Sequence, residues 1–303
     1  LLQANGTTKA YNYGVFLGNR YKNTPNLVWF HGNDFQTWTN AGDDALVLAV
    51  ARGIKSVDPN HLQTIELDYP TSASLNNPNW SPYIGLDLAY SYYSTYDQVL
   101  REYNRSNFLP VYFHEGVYEY QNYMGGYTGP HELRAQAYWT QLSGAAGNFY
   151  GNRYIFRFES GWQNHLSDPG FLQFSYWKAF FAGRPWYNLV PDQNHTVVTA
   201  GYGSYQSISA AVMGNTSNYV TTARTPDGKL VLSYIPTSST GAVTVDLSKL
   251  SGQVNARWVD PTTNTYQTIS GSPFANAGSR SFTPPSTPHS DATRDWLLVL
   301  KVN

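Results

Sequence analysis

Two acidic residues each close a short apolar run. Asp34 ends Leu27-Val28-Trp29-Phe30-His31-Gly32-Asn33-Asp34, and Glu115 ends Leu109-Pro110-Val111-Tyr112-Phe113-His114-Glu115. A buried run that stops abruptly in His, Asn and a carboxylate is how a parallel barrel delivers side chains to the C-terminal rim of its strands. Two such carboxylates on separate strands are what glycosidic-bond cleavage needs. Each residue alone has a plainer explanation. Asp is a favoured cap for a following helix, and Glu115 would be buried if paired with an arginine such as Arg153 or Arg157. Jointly, two βα units apart, they point to acid/base chemistry, with Asp34 as the acid and Glu115 as nucleophile or base.

The residues around this pair are the candidates for holding substrate. His31 and Asn33 share the strand end with Asp34, and Asn33 is placed to bind a sugar hydroxyl. Glu66 and Asp68 end the next strand, where one binds substrate or both are structural. Tyr90, Tyr92 and Tyr93 end the following strand. A tyrosine at that rim either hydrogen-bonds the nucleophilic carboxylate or packs in the core. Tyr118 and Glu119 lie just beyond Glu115, and Glu119 either supports the site or is a solvated loop residue. Tyr150, Asn152 and Trp162 follow the last strand and would floor a sugar subsite, and Trp80 sits in a loop from which it would stack on a sugar ring. Other chemistries lack their residues. No Gly-rich phosphate loop with a lysine and no Gly-x-Ser-x-Gly elbow occurs. The seven histidines form no metal-ligand spacing, so neither metal nor cofactor is expected.

The elements that must position these residues fall into two textures. Up to about residue 190, helical and strand patterns alternate. Strands are expected at Leu27–His31, Leu62–Leu67, Leu86–Tyr93, Leu109–His114 and Gly147–Gly151. Helices are expected at 7–22, Ala45–Val57, Tyr96–Tyr103, Pro130–Leu142 and Pro169–Phe181. Such alternation implies right-handed parallel βα units. Beyond residue 196 short β runs alternate with turn signals, among them Thr225-Pro226-Asp227-Gly228, and suggest an antiparallel β-sandwich. The division expected is 1–193 and 194–303.

Composition narrows the function further. The 303 residues are 41% hydrophobic, enough for a large core, and only 13% charged, with 19 basic against 20 acidic side chains. Nucleic acid is therefore not an expected partner. No apolar run is long enough to span a bilayer. There is no cysteine, which excludes disulfides and thiol chemistry and leaves the compartment open. The 25 Tyr and 9 Trp suit stacking on sugar rings, though β-rich extracellular proteins also use them for packing.

Several stretches carry a resemblance: Phe16-Leu17-Gly18-Asn19-Arg20-Tyr21-Lys22-Asn23-Thr24-Pro25-Asn26-Leu27-Val28-Trp29, His31-Gly32-Asn33-Asp34, Ala49-Val50-Ala51-Arg52-Gly53-Ile54-Lys55-Ser56-Val57-Asp58-Pro59, and Arg184-Pro185-Trp186-Tyr187-Asn188-Leu189-Val190-Pro191-Asp192. Together they resemble the apiosidase-like glycoside hydrolases. The resemblance implies a (β/α)8 TIM-type barrel followed by a small β domain labelled for collagen binding. It implies that Asp34 ends barrel strand four and Glu115 strand seven, so that strands four to eight are present here and strands one to three are missing. An N-terminal segment of the same protein is expected to supply them. Where related glycosidases carry Asn-Glu at strand four, this sequence has Asn33-Asp34, and the shorter side chain would widen the gap between the carboxyls. A secreted enzyme acting on polysaccharide side chains is expected, with the β domain a buttress rather than a collagen binder. The rival is a non-catalytic extracellular carbohydrate-binding or assembly protein. One distance separates the two readings, because carboxyls of Asp34 and Glu115 well beyond about 10 Å apart would disfavour hydrolysis.

Overall fold

The computed structural model describes residues 2–36, 39–123, 126–208, 217–239 and 241–303. Helix α1 (Leu2–Tyr21) lies along helix α2 (Ala41–Val57), and their backbones meet at glycine. A Cβ on Gly14 would stand 2.1 Å from the Val50 carbonyl oxygen, and one on Gly53 would stand 2.1 Å from that of Tyr11. Any larger residue would force the helices apart. Asn40 caps α2 by accepting from the Gly42 N–H at 2.9 Å, and Asp43 and Asp44 occupy the first turn, where the helix dipole favours negative charge.

Strand β1 (Val28–Phe35) pairs in parallel with β2 (Leu62–Leu67). A short strand β3 (Thr71–Ala73) runs antiparallel to β4 (Asp87–Ser91). Helix α3 (Thr95–Tyr103) leads to β5 (Val111–Glu115), which is parallel to β4. A two-stranded ribbon, β6 (Asn122–Tyr123) and β7 (Gly126–Tyr127), precedes helix α4 (Pro130–Leu142). Strand β8 (Gly147–Asn148) then adds in parallel to β5, followed by helices α5 (Arg153–Arg157) and α6 (Pro169–Ala182). The five expected strands are present. The β6–β7 ribbon and β3 are the additions the periodicity does not announce. β3 and the residues after it stitch β2 to β4 through hydroxyls: Thr64 Oγ1 donates to the Leu86 carbonyl at 2.7 Å, while Ser74 Oγ donates to Ile65 at 2.5 Å and accepts from Leu88 N–H at 2.9 Å.

The C-terminal part is antiparallel throughout. Strands β9 (Val190–Pro191), β11 (Thr221–Arg224), β12 (Leu230–Ile235), β14 (Val254–Asp260), β15 (Thr265–Thr268) and β17 (Trp296–Val302) form one sheet in the order β15-β14-β17-β12-β11-β9. Strands β10 (Val198–Ala200), β13 (Val243–Asp246) and β16 (Ser279–Phe282) form a second. This is the expected sandwich. Its edge strand β9, which lies before residue 194, pairs with β11. The larger sheet is covered on both faces. Val231, Ile235, Leu298 and Leu300 face the small sheet's Val243, Val245 and Phe282, whereas Leu232, Tyr234, Leu297 and Val299 pack on Tyr138, Trp139, Trp177 and Phe180 of α4 and α6.

One polar contact ties these layers together. Arg134 on α4 donates from Nε and Nη2 to both oxygens of Asp295, at 2.8 and 2.7 Å, and also reaches Gln173, Asp291 and Thr293. Arg134 and Asp295 side chains are both wholly buried, and Tyr234 donates a further bond to Asp295 at 2.9 Å. The paired charge holds Asp295 well below the usual carboxylate range, against its burial. Among the described residues no helix is long and apolar enough to cross a membrane. Breaking a buried pair strands the partner's charge, so Asp295→Ala is expected to cost about 3–5 kcal/mol. Urea unfolding of the variant measures it, and a loss under 1 kcal/mol would deny the pair its role.

Candidate active site

The rim of β1 is strained where Asp34 leaves it. Gly32, Asn33 and Asp34 have φ of 92°, 94° and 52° in succession, a left-handed run that L-residues adopt at a cost. The pairing of β1 with β2 slips there, between Gly32 and Phe35. A Cβ at Gly32 would lie 2.1 Å from the Glu66 carbonyl oxygen, so glycine is required. The bulge points the Asp34 N–H at Glu66 Oε1, 3.4 Å away, and leaves Asn33 and the Asp34 side chain exposed. Asp34 is not the cap of α2, a role Asn40 fills.

Glu115 leaves β5 beside a second slip, where it rather than His114 comes opposite Tyr90. Its partners are phenols, not an arginine. Tyr90 and Tyr92 each donate to Oε1 at 3.2 Å, Tyr118 adds a bond, and Arg153 pairs instead with Glu159. The turn after Glu115 is clamped by α4: Gln136 Oε1 accepts from the Val117 N–H at 3.1 Å, and a Cβ on Gly116 would lie 2.4 Å from that same oxygen.

Glu66, 3% exposed, joins the two. His114 Nε2 lies 2.9 Å from its Oε2, and its carboxyl hydrogen-bonds that of Glu115. Two carboxyls in contact require a shared proton. Burial, then the hydrogen bond and charge of Glu66, push Glu115 up to about 7. Burial acts to raise Glu66 as well, but the His114 contact outweighs it and Glu66 falls below the usual range. Burial raises Asp34, opposed by a hydrogen bond to Tyr90 and assisted by the charges of Glu66 and Asp68. Donor atoms of Glu66, His114 and Glu115 come within 4.8 Å of one another, the only such group among the described residues. The hydrogen bonds already made inside it account for the closeness.

Of the expected site residues, Asp34, Glu66, Tyr92, Glu115 and Tyr118 thus come together, with Asn33 on the bulge beside them. Others do not. His31 points into the strand–helix layer, hydrogen-bonded to Gln63 at 2.9 Å and against the Trp80 ring. Trp80 is wholly buried and donates Nε1 to Asp44 at 3.1 Å, so it cannot stack on a sugar. Glu119, also wholly buried, accepts from Tyr150 at 2.6 Å and from the Gly170 N–H of α6 at 3.0 Å. Asn152 caps α5 and donates to Tyr150 and Asp168. These three build a structural network that docks α6. Trp162 packs edge-on against Phe158. The member not singled out from the sequence is His114, while Tyr90, expected with Tyr92 as a rim tyrosine, does hydrogen-bond Glu115. Strand alternation carries the signal for Tyr90, which shares a face with Leu88 and Tyr92.

The β1–β2 pair and the β4–β5–β8 strands, with carboxylates at their ends, belong to a glycoside hydrolase-like fold. The chain superposes on a glycoside hydrolase family 5 protein from Bacteroides vulgatus with a TM-score of 0.81 at 23% identity, covering 98% of this chain and 67% of that one. It superposes equally, TM-score 0.81 at 24% identity, on a protein described as a glycoside hydrolase, covering 98% and 69%. Residues 3–188 match the family described as "Apiosidase-like, catalytic domain", and the chain belongs to that family. Residues 205–301 match the "Putative collagen-binding domain of a collagenase". No curated protein matches the chain.

The shared proton makes a prediction that does not depend on activity. Glu66→Gln removes a negative neighbour, which favours ionised Glu115. The Glu115 carboxyl, followed by carbon-13 NMR, should titrate near pH 7 in the parent and shift toward the ordinary range, about 4.3, in the variant. An unmoved midpoint would mean that Glu66 does not set it.

Proposed function

We propose that this protein is a glycoside hydrolase that cleaves glycosidic bonds of polysaccharide side chains, with Asp34 as acid/base and Glu115 as nucleophile. The observation that carries the reading is the Tyr90 phenol lying between them, bonded to Glu115 and to Asp34. A phenol has one proton to give and lone pairs that accept. That single proton serves one carboxyl at a time, so Tyr90 couples the ionisation of the two. A retaining enzyme needs protonated Asp34 and ionised Glu115 before cleavage; burial raises Asp34, and Glu115, pushed up to about 7, ionises as the pH passes that value. Both carboxyls thus face one phenol at the same strand rim, as the pair of a glycosidase must. Glu66 and Glu115, being in contact, are too close to hold a sugar carbon between them. Glu66 therefore tunes Glu115 instead of flanking the bond with it.

Asp34 gives its proton to the departing glycosidic oxygen while Glu115 forms a bond to the sugar carbon. Water then attacks that carbon, Asp34 takes a proton from it, and Glu115 leaves as carboxylate. Tyr92 and Tyr118 hold the Glu115 oxygens, and Asn33 is placed to meet a sugar hydroxyl.

We read the strand arc as part of a (β/α)8 barrel, supplying its strands four to eight and closed by a further segment of the same protein. Val28 and Phe30 of β1 are exposed, 42% and 46%, and a groove of about 600 Å³ runs beside them, lined by Tyr13, Leu17, Trp29 and Phe35. Phe149, Phe156 and Phe158 are exposed beyond β8 at the other end. The β domain reads as a buttress, since its larger sheet is covered by α4 and α6. Low charge and an aromatic-rich composition support secretion.

The test is sugar release from branched polysaccharides and aryl glycosides. Glu115→Gln and Asp34→Asn should each lower kcat by on the order of 10²–10⁴, and chelators should change nothing. One limb of the pH profile should lie near pH 7 and move to lower pH in Glu66→Gln. Glycan binding without release by the parent on any substrate would favour the non-catalytic reading.

A further inference from the structure

A groove of about 450 Å³ opens where the end of α6 meets the six-stranded sheet. It lies away from the carboxylates. The N-terminus of α6 docks on Glu119, whereas Gly183 and Arg184, just past its C-terminus, line the groove. The 14 residues of α6 separate the two ends by about 20 Å.

Four cations line this groove: Arg184, Lys229, Arg257 and Lys301. They are four of only 19 in a chain of net charge −1, so the concentration is local. None makes a salt bridge among the described residues. Asp227 is the only acidic side chain in the lining. It is committed to its own turn, accepting from Thr225 Oγ1 at 2.6 Å and from the Lys229 N–H at 3.0 Å. Lys229, Arg257 and Lys301 are exposed on strands or turns of one sheet, and the Val302 N–H bonds the Lys229 carbonyl at 2.9 Å. Like charges held side by side on a sheet oppose its stability, and an anion would relieve them.

The groove also carries groups suited to sugar. Tyr266 is 42% exposed, and its hydroxyl is fixed by Arg184 Nη2 at 3.0 Å. The Arg184 guanidinium is itself held over the Phe180 ring at 3.7 Å. This leaves a positioned aromatic face for a pyranose, beside the amide of Asn255. Guanidinium and ammonium groups at several positions match repeated carboxylates or sulfates. Nucleic acid answers the same charge, but it calls for a longer basic stripe.

We propose that this groove is a second carbohydrate site, which binds an anionic polysaccharide, carboxylated or sulfated, and holds the polymer on the protein away from the carboxylates. The choice of polysaccharide rests on the proposed hydrolase reading. Binding, however, is measured without hydrolysis, so the two can fail separately.

The test is affinity electrophoresis of the full chain in gels containing polygalacturonate, dextran sulfate or neutral dextran, with single-stranded DNA as competitor. Retardation is expected with polygalacturonate or dextran sulfate and not with dextran, and it should weaken as salt rises. Which polyanion retards more identifies the anionic group. The exposed double change Arg257→Glu with Lys301→Glu should weaken binding at least tenfold, and Tyr266→Ala should weaken it at unchanged salt dependence. Hydrolysis of a small aryl glycoside should be unchanged in all three proteins. Equal retardation by dextran, binding unaffected by the charge reversal, or DNA displacing the polysaccharide at equal charge would each overturn the proposal.

Discussion

Three carboxyl groups crowded at one strand rim are the constraint around which the rest of the N-terminal half is arranged. Glu66 and Glu115 are withdrawn from water and Asp34 partly so, and the charge of Glu66 opposes ionisation of the other two. The crowding is tolerated because donors are supplied unequally. Glu66 has His114, whereas Glu115 has only neutral phenols and the clamped turn beyond it. That inequality splits the titrations of two glutamates in contact. The strained bulge at Gly32 belongs to the same arrangement. It turns Asp34 out of the strand, so that the third carboxyl faces its neighbours across Tyr90 instead of pressing directly against them.

The β domain enters the same argument through α4. One face of that helix presents Arg134 to Asp295, and two residues on, Gln136 grips the backbone just after Glu115. The geometry at the strand rim is therefore continuous, through a single helix, with a fully buried ion pair at the β domain. A helix fixed at both faces can hold a short loop to the tolerance that acid/base chemistry demands.

Much of this was legible in the sequence, and the limits have physical causes. Strands such as Leu62–Leu67 and helices such as Pro130–Leu142 follow from apolar period and from Pro or acidic residues in the first turn. Asp34 and Glu115 stood out because a carboxylate ending an apolar run is expensive unless used or paired. Position along the chain, however, does not show which way a side chain faces. His31 and Asp34 end the same run, yet alternation sends His31 toward Trp80 in the helix layer, while the bulge returns Asp34 to the rim. Glu119 follows Glu115 by one helical turn in number, but it lies in a loop and turns to the N-terminus of α6. Trp80 looked like a surface aromatic because its segment lacks periodicity. Its burial depends on Asp44, 36 residues away in sequence, a pairing no local pattern reveals.

The order of strands in the larger sheet has a consequence for how the protein is made. Its last strand, β17, lies between β12 and β14 rather than at an edge, and its Leu297 and Val299 complete the surface on which α4 and α6 rest. During synthesis those helices leave the ribosome more than a hundred residues before the strand that covers them. The N-terminal half cannot finish packing as it emerges, so its apolar helix faces wait, exposed, for residues 296–302.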